Sequence, residues 1–89
     1  MLIWDEAKYD ANVAKHGIEF TEAERFDFAS ARTVIDDRFD YGEVREIAFG
    51  YIGTRLHVLV FSRRGSDLRV ISLRKANARE RTFYEQAQA

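Results

Sequence analysis

Alternation of side chains along residues 55–62 is the clearest pattern in the chain, because both parities carry apolar groups. One side of the predicted strand holds Leu56, Val58 and Val60, and the other side holds His57, Leu59 and Phe61. Successive side chains of a strand point to opposite faces of its sheet. We therefore expect the sheet to be covered on both faces, at least in part.

Two flanking segments, about 44–52 and 67–73, are predicted to pair with this strand. The connection Gly53-Thr54 is typical of a primed hairpin turn, and Gly65 interrupts the next pair of strands. These signals predict an antiparallel meander. We expect a sheet of three or four strands in all; residues 32–36 have a β-prone centre, and the short apolar lead at 1–4 is a candidate edge strand.

Helices are predicted on both sides of these strands. Asp5 is a candidate N-cap and Gly17 a left-handed stop, which places a helix between them. Its apolar stripe is formed by Ala7, Ala11 and Ala14, and Lys8, Asn12, Lys15 and His16 recur on another face.

A second short helix is predicted from the capping box Thr21-x-x-Glu24, with Ala23 and Phe26 turned inward. Asn77 and Glu80 predict the start of a closing helix whose inner side carries Ala76, Phe83 and Tyr84. The fold class is therefore α+β, with two N-terminal helices, an antiparallel meander of three to four strands and a C-terminal helix.

Length and composition predict one domain over residues 1–89. The chain is 46% hydrophobic and 33% charged and has no cysteine, which excludes disulfides and thiolate metal sites. No apolar run approaches the length of a membrane span, and the start has no basic segment before an apolar core. We expect a cytoplasmic protein without membrane contact.

Charge is distributed unevenly although the net charge is only −1. Residues 1–46 hold 12 acidic and 6 basic side chains, whereas residues 55–81 hold 8 basic and 2 acidic ones. Such a basic segment is either a phosphate-binding surface or a solvated face paired with carboxylates elsewhere.

The acidic loop at 36–43 carries Asp36, Asp37, Asp40 and Glu43. These residues lack the alternating spacing and central glycine of a calcium loop, and no histidine pair accompanies them. The sequence therefore predicts no metal site and no cofactor.

A set of spaced, mixed residues runs through nearly the whole chain. Its members are Trp4-Asp5-Glu6, Lys8, Asn12, Lys15-His16-Gly17, Phe20, Ala23, Arg45, Gly50, Arg69-Val70-Ile71-Ser72, Arg74-Lys75-Ala76, Glu80 and Tyr84. This pattern closely resembles the BrnT toxins. Leu73 stands where small residues are common in that family, a difference that we interpret as packing.

The resemblance implies a ribonuclease toxin with a RelE-like fold. It also implies neutralisation by a BrnA-type antitoxin, which is similar to ribbon-helix-helix proteins and links the toxin to operator DNA. The alternative is a non-enzymatic interaction module, or an inactive family member, whose basic face docks an acidic partner segment.

Cleavage of RNA without a metal needs a base for the 2′-hydroxyl, cations for the phosphorane and an acid for the departing 5′-oxygen. Arg74 is predicted to clamp the phosphate, because it ends the last strand where a helix begins. Arg69 has the opposite parity to Arg74, so both serve one site only if a bulge rotates one of them. The resemblance implies that Arg45 is a further catalytic residue; the alternative is that Arg45 pairs with the acidic loop.

His57 is the preferred base, since its cationic neighbours Arg55 and Arg63 would lower its pKa; otherwise it is a half-buried, hydrogen-bonded strand residue. His16 is a catalytic candidate or a residue placed by the helix dipole. Tyr84 either stacks on a base or belongs to the core, and Glu80 is a cap or a catalyst. The further candidates for RNA binding are Arg63, Arg64, Lys75, Arg79, Lys15 and His16.

Overall fold

The computed structural model describes residues 1–88 and has an α+β architecture built on a mixed five-stranded sheet. The strands are β1 (Leu2–Trp4), β2 (Arg32–Asp36), β3 (Arg45–Ile52), β4 (Arg55–Arg64) and β5 (Asp67–Lys75). The helices are α1 (Glu6–His16), a 3-10 helix (Phe20–Arg25) and α2 (Ala78–Gln88). No helix within residues 1–88 is long and apolar enough to cross a membrane.

The sheet has the order β1-β5-β4-β3-β2, and four of its strands form the predicted meander. β1 lies at an edge of the sheet, and the difference from the prediction is that it pairs parallel to β5, with Ile3 aligned with Arg69. This pairing joins residues that are more than 60 positions apart in the chain, so local patterns contain no signal for it. The sheet has five strands as a result, and it is not wholly antiparallel.

Both faces of the sheet are covered, as the alternation in β4 predicts. Leu59 and Phe61 pack in a cluster with the 3-10 helix, α1 and the segment around β1, whereas Leu56 and Val58 pack with Tyr84 of α2. Gly50 allows the first cluster to close, because a Cβ atom at this position would lie 2.6 Å from Cζ of Phe26.

Both predicted ends of α1 and the predicted start of α2 are confirmed. The Asp5 carboxylate accepts a hydrogen bond from the Ala7 N–H at 2.8 Å, and Gly17 ends α1 with φ = 69°. Asn77 and Glu80 form a reciprocal capping box, with N–H to carboxylate and N–H to amide distances of 2.9 and 2.8 Å.

The capping box predicted at Thr21 and Glu24 is wrong. The helix here is a 3-10 helix that begins at Phe20 after Glu19, and no side chain caps it. Burial explains the shift: Phe20, Ala23 and Phe26 all lie in the core, and a 3-10 helix with three residues per turn turns these positions inward together.

The inward face of α1 also differs from the prediction. Ala7, Ala11 and Ala14 are exposed, whereas the buried residue of the helix is Asn12. The Asn12 side chain donates to the carbonyls of Leu73 at 2.8 Å and Ile18 at 3.0 Å, and it accepts from the Leu73 N–H at 3.1 Å. It therefore pairs with the edge of β5 beyond the point where β1 ends.

Replacement of Asn12 by alanine is expected to lower the free energy of unfolding by about 2–4 kcal/mol, because buried backbone groups of Leu73 and Ile18 lose their partners. Urea denaturation followed by circular dichroism measures the change. Asp10→Ala, at an exposed position of the same helix, is the control and should stay within about 0.5 kcal/mol of the parent chain. Equal losses in both variants would contradict this role for Asn12.

Candidate functional site

A hollow of about 400 Å³ opens on the α2 side of the sheet, between α2 and the loop that joins β2 to β3. Its floor is apolar and consists of Ile47, Phe49, Val58, Val60 and Ile71. Its polar lining consists of Asp36, Arg38, Tyr41, Arg45, Ser72, Arg74 and Glu80. Three guanidinium groups thus reach one open depression.

Arg74 lies opposite Val58, near the end of β5, and enters this hollow. Its two terminal nitrogens donate to the two oxygens of Glu80 at 2.7 and 2.6 Å. These hydrogen bonds hold the pKa of Glu80 below its ordinary value, so Glu80 is a carboxylate near neutral pH. Glu80 is both the cap of α2 and the residue that orients the Arg74 fork.

A bulge in β5 places Arg69 on the same face as Arg74. Val60 pairs with Ser72 and Phe61 pairs with Val70, so β5 contains one extra residue at this point. The sequence analysis required a bulge for Arg69 and Arg74 to serve one site, and this bulge is present. Arg69 nevertheless does not line the hollow that Arg74 enters, and it donates to Glu43 at 3.0 Å.

Arg45 begins β3 and also faces the hollow. Its guanidinium lies 3.9 Å above the centre of the Tyr41 ring and donates to Glu43 at 3.3 Å. Arg64 donates to the same carboxylate at 3.3 Å. Three arginines from three strands therefore share one acidic side chain.

Carboxylate pairing extends to every arginine that the sequence proposed for the β3–β5 surface. Arg63 pairs with Glu46 at 2.8 Å, Arg74 pairs with Glu80, and the remaining three share Glu43. The arginines thus converge as predicted for a phosphate-binding surface, and each of them is also paired with a carboxylate of the same chain. The sharing at Glu43 leaves the local balance positive.

His57 is separated from Arg74 by the sheet. His57 aligns with Lys75 and Val58 aligns with Arg74, so the two side chains point to opposite faces. The ring is buried beside Gly17, Ile18 and Glu22, with Nδ1 2.8 Å from the Arg55 carbonyl oxygen. Burial lowers its pKa, as predicted in direction, but neither His57 nor Lys75 reaches the arginine hollow.

His16, unlike His57, lies next to the Arg74 hollow. It lies with Lys8 and Lys15 in a shallow depression between α1 and β5, and Ile71 and Ser72 line both this depression and the Arg74 hollow. Burial lowers the pKa of His16, and the positive charges of Lys15 and Arg74 lower it further. The ring is therefore neutral near pH 7.

Tyr84 and Arg79 lie outside the hollow. Tyr84 is buried against Leu56 and Val58, and its hydroxyl donates to the Ser30 carbonyl at 2.8 Å, which is the core alternative of the prediction. Arg79 is on the exposed side of α2.

The loop between β2 and β3 supplies residues that sequence reasoning missed. Arg38 forms a fork with Asp36 at 2.9 and 3.0 Å, and the Tyr41 hydroxyl donates to Asp36 at 3.1 Å. The hydrogen bonds from Arg38 hold the pKa of Asp36 well below its ordinary value. The sequence could have indicated both residues, because a cation and an aromatic ring stand among the carboxylates of this loop. The sequence analysis considered only the carboxylates. Residues 1–88 contain no group of three or more acidic or histidine side chains arranged to hold a metal ion.

The chain matches a known protein family over most of its length. Residues 4–80 match the family described as "Ribonuclease toxin, BrnT, of type II toxin-antitoxin system". Comparison with curated proteins found no match. Because the family match spans most of the chain, from β1 to the first turn of α2, this chain belongs to the BrnT family of type II toxin–antitoxin ribonuclease toxins.

Proposed function

We propose that this chain, as a single toxin domain with a RelE-like fold, is a metal-independent endoribonuclease that inhibits translation in the cytoplasm. The observation that carries the proposal is the convergence of Arg38, Arg45 and Arg74 in one open hollow of a chain from a ribonuclease family. Guanidinium forks bind phosphate oxygens in pairs and keep their charge at any working pH.

Arg74 is the phosphate clamp in this proposal. Its side chain is one-third exposed and Glu80 already binds two of its N–H groups, so a phosphate that approaches from the hollow meets the remaining N–H groups in a fixed orientation. Arg45, which rests on Tyr41, supplies a second positive charge on the other side of the hollow. Both charges favour the phosphorane more than the ground-state diester, because negative charge builds up there during attack.

His16 is the proposed proton acceptor. An RNA strand that crosses the β5 edge at Ile71 and Ser72 lies against both depressions, so His16 can approach the sugar next to the clamped phosphate. The neutral imidazole takes the 2′-hydroxyl proton while the 2′-oxygen bonds to phosphorus. The bond to the 5′-oxygen breaks, that oxygen takes a proton from water, and a 2′,3′-cyclic phosphate remains. The hydroxide left by that water takes the proton from the His16 imidazolium, which restores the neutral ring.

The proposed partner is a BrnA-type antitoxin with a ribbon-helix-helix fold, through which the toxin reaches operator DNA. The family match supports an antitoxin partner in general. Co-expression with the product of a small adjacent reading frame, followed by co-purification, tests the more specific identity.

Purified protein incubated with RNA in excess EDTA tests the activity. We expect cleavage products that end in a 2′,3′-cyclic phosphate, and we expect no cleavage of DNA because it lacks the attacking hydroxyl. If free RNA stays intact, the same assay is repeated on translating ribosomes. Intact RNA in both assays, or cleavage that EDTA abolishes, would refute the proposal.

A second function is favoured by the internal pairing of the arginines. An acidic segment of a partner could replace Glu43, Glu46 or Glu80 at these guanidinium groups, without any catalysis. A complex that weakens with salt, combined with the absence of growth arrest on expression, would support this interaction module instead.

A further inference from the structure

Glu43 binds three guanidinium groups from three different strands. One of its oxygens accepts from Arg64 at 3.3 Å and from Arg69 at 3.4 Å, and the other accepts from Arg69 at 3.0 Å and from Arg45 at 3.3 Å. Burial acts to raise the pKa of Glu43, but hydrogen bonds from Arg64 and Arg45 and the charge of Arg69 outweigh it and lower this pKa. The carboxylate is a firmly ionised anion inside a cationic cluster.

The cluster carries more positive charge than Glu43 neutralises. Three guanidinium groups and one carboxylate leave a surplus of two charges, and the side chains of Arg45, Arg69 and Glu43 are each only about one-fifth exposed. Charges that are partly withdrawn from water interact more strongly than surface charges. The cluster is therefore able to hold more negative charge than a single carboxylate provides.

A buried hydroxyl lies in the same row of the sheet. Ser62 of β4 aligns with Arg69 of β5, and its Oγ is buried without a hydrogen-bond partner among the described residues. Buried polar atoms are rarely left unpaired in folded proteins. Ser62 therefore leaves one unused hydrogen-bonding group in the row of the sheet that carries Arg69.

The segment that carries Glu43 is fastened by polar contacts. Within residues 1–88, neither hydrophobic cluster takes a side chain from 37–44, and Phe39 and Val44 of this segment are 69% and 64% exposed. Asp40 accepts from the Gly42 N–H within the segment itself. Turning the Glu43 side chain out of the cluster therefore exposes little apolar surface and costs little hydrophobic free energy, and it leaves Tyr41 under Arg45.

We propose that Arg45, Arg64 and Arg69 form a second phosphate site, that Glu43 occupies it in the free protein, and that an RNA phosphodiester displaces Glu43. That the ligand is RNA rests on the function proposed above. Arg45 lines the Arg74 hollow as well, so one strand can place neighbouring phosphates at both sites. A single phosphodiester carries the same charge as the Glu43 carboxylate, so the surplus of the cluster is filled only when the strand brings a neighbouring phosphate as well.

Binding of an uncleavable oligonucleotide tests this site. The probe is a fluorescent, mixed-sequence 2′-O-methyl RNA of about ten nucleotides, and the protein is the full chain at several salt concentrations. Glu43→Gln is expected to bind it about five- to tenfold more tightly than the parent chain, because the competing charge is gone. The dependence of log K on log salt should also steepen by about 0.7 for each additional phosphate contact.

The control is Glu22→Gln, which makes the same change in net charge near the opposite face of the sheet and should change affinity less than twofold. Adding Arg69→Ala to Glu43→Gln should abolish the gain. If Glu43→Gln does not fold, Arg64→Ala in the parent chain tests the site instead. Arg64 is 55% exposed, so its removal should weaken binding of the probe without unfolding the protein. An unchanged affinity in that variant would overturn the site.

An equal gain in Glu22→Gln, or no gain in Glu43→Gln, would also overturn the proposal. A larger gain for an oligoglutamate peptide than for the oligonucleotide would overturn it in favour of a protein partner. Because the probe cannot be cleaved, the outcome is independent of catalysis: loss of the Glu43 effect in an active nuclease refutes only the second site. If the protein cleaves no RNA but Glu43→Gln still binds the probe more tightly, only the nuclease function is refuted.

Discussion

Replacement of Arg74 by alanine is expected to lower kcat/KM for RNA cleavage by about 100- to 1000-fold, the usual loss when one pre-oriented donor to a transition state is removed. The guanidinium group that Glu80 aligns at 2.7 and 2.6 Å is lost in this variant. Arg74→Lys should recover little of the loss, because an ammonium group cannot bind two oxygens as a planar fork. Initial rates on an end-labelled RNA measure both variants.

The matched control for Arg74 is Arg25→Ala. Arg25 lies on the 3-10 helix, is 64% exposed and pairs with Glu22, so its removal changes the net charge equally and leaves the hollow intact. The capping box of Asn77 and Glu80 remains in Arg74→Ala, and thermal unfolding should confirm that α2 is preserved. Cleavage by Arg74→Ala at half the parent rate or more would exclude Arg74 as the clamp.

Replacement of His16 by alanine is expected to reduce cleavage by about 100-fold or more, within the range of positioned general bases. His57→Gln should reduce it far less, because His57 lies on the other face of the sheet. In the parent chain, kcat/KM should rise with pH through a pKa below the ordinary histidine value of 6.5 and then level off, since only the neutral ring accepts the proton. This acidic limb should disappear in His16→Ala.

Proximity of His16 to the clamp gives a separate check. The positive charge of Arg74 helps to lower the pKa of His16, so Arg74→Ala should raise that pKa when it is measured by NMR titration. The pKa of His57 should not change, because its shift arises from burial and from Arg55 and Lys75. A large loss of activity in His57→Gln with a small loss in His16→Ala would reverse the assignment.

Local signals in the sequence located most of the elements. The alternation in β4, the glycines of the two turns, the Asp5 and Gly17 ends of α1 and the Asn77 capping box all act over a few residues, and each is observed. The prediction failed at Thr21 because burial of Phe20 outweighs a possible cap. It failed on the inward face of α1 because hydrogen bonds of Asn12 to the β5 edge outweigh a stripe of alanines, which have little surface to bury.

The candidate site was predicted in part. Arg74 and Arg45 could be selected from the sequence, because one ends a strand before a helix and the other belongs to the family pattern. The choice between His57 and His16 could not be made, since it depends on which face of the sheet each ring occupies. Arg38 and Tyr41 were missed because their loop was interpreted through its carboxylates.

The sequence by itself determined the α+β class, the meander, both ends of α1, the start of α2 and the family. Short-range periodicity, caps and a distributed residue pattern can all be read along the chain. Only the tertiary structure decided that β1 pairs with β5, that a bulge turns Arg69 to the side of Arg74, and that Glu43 holds three arginines. Each of these depends on contacts between residues far apart in the chain. Their free energy comes from the assembled sheet, and no local preference encodes it.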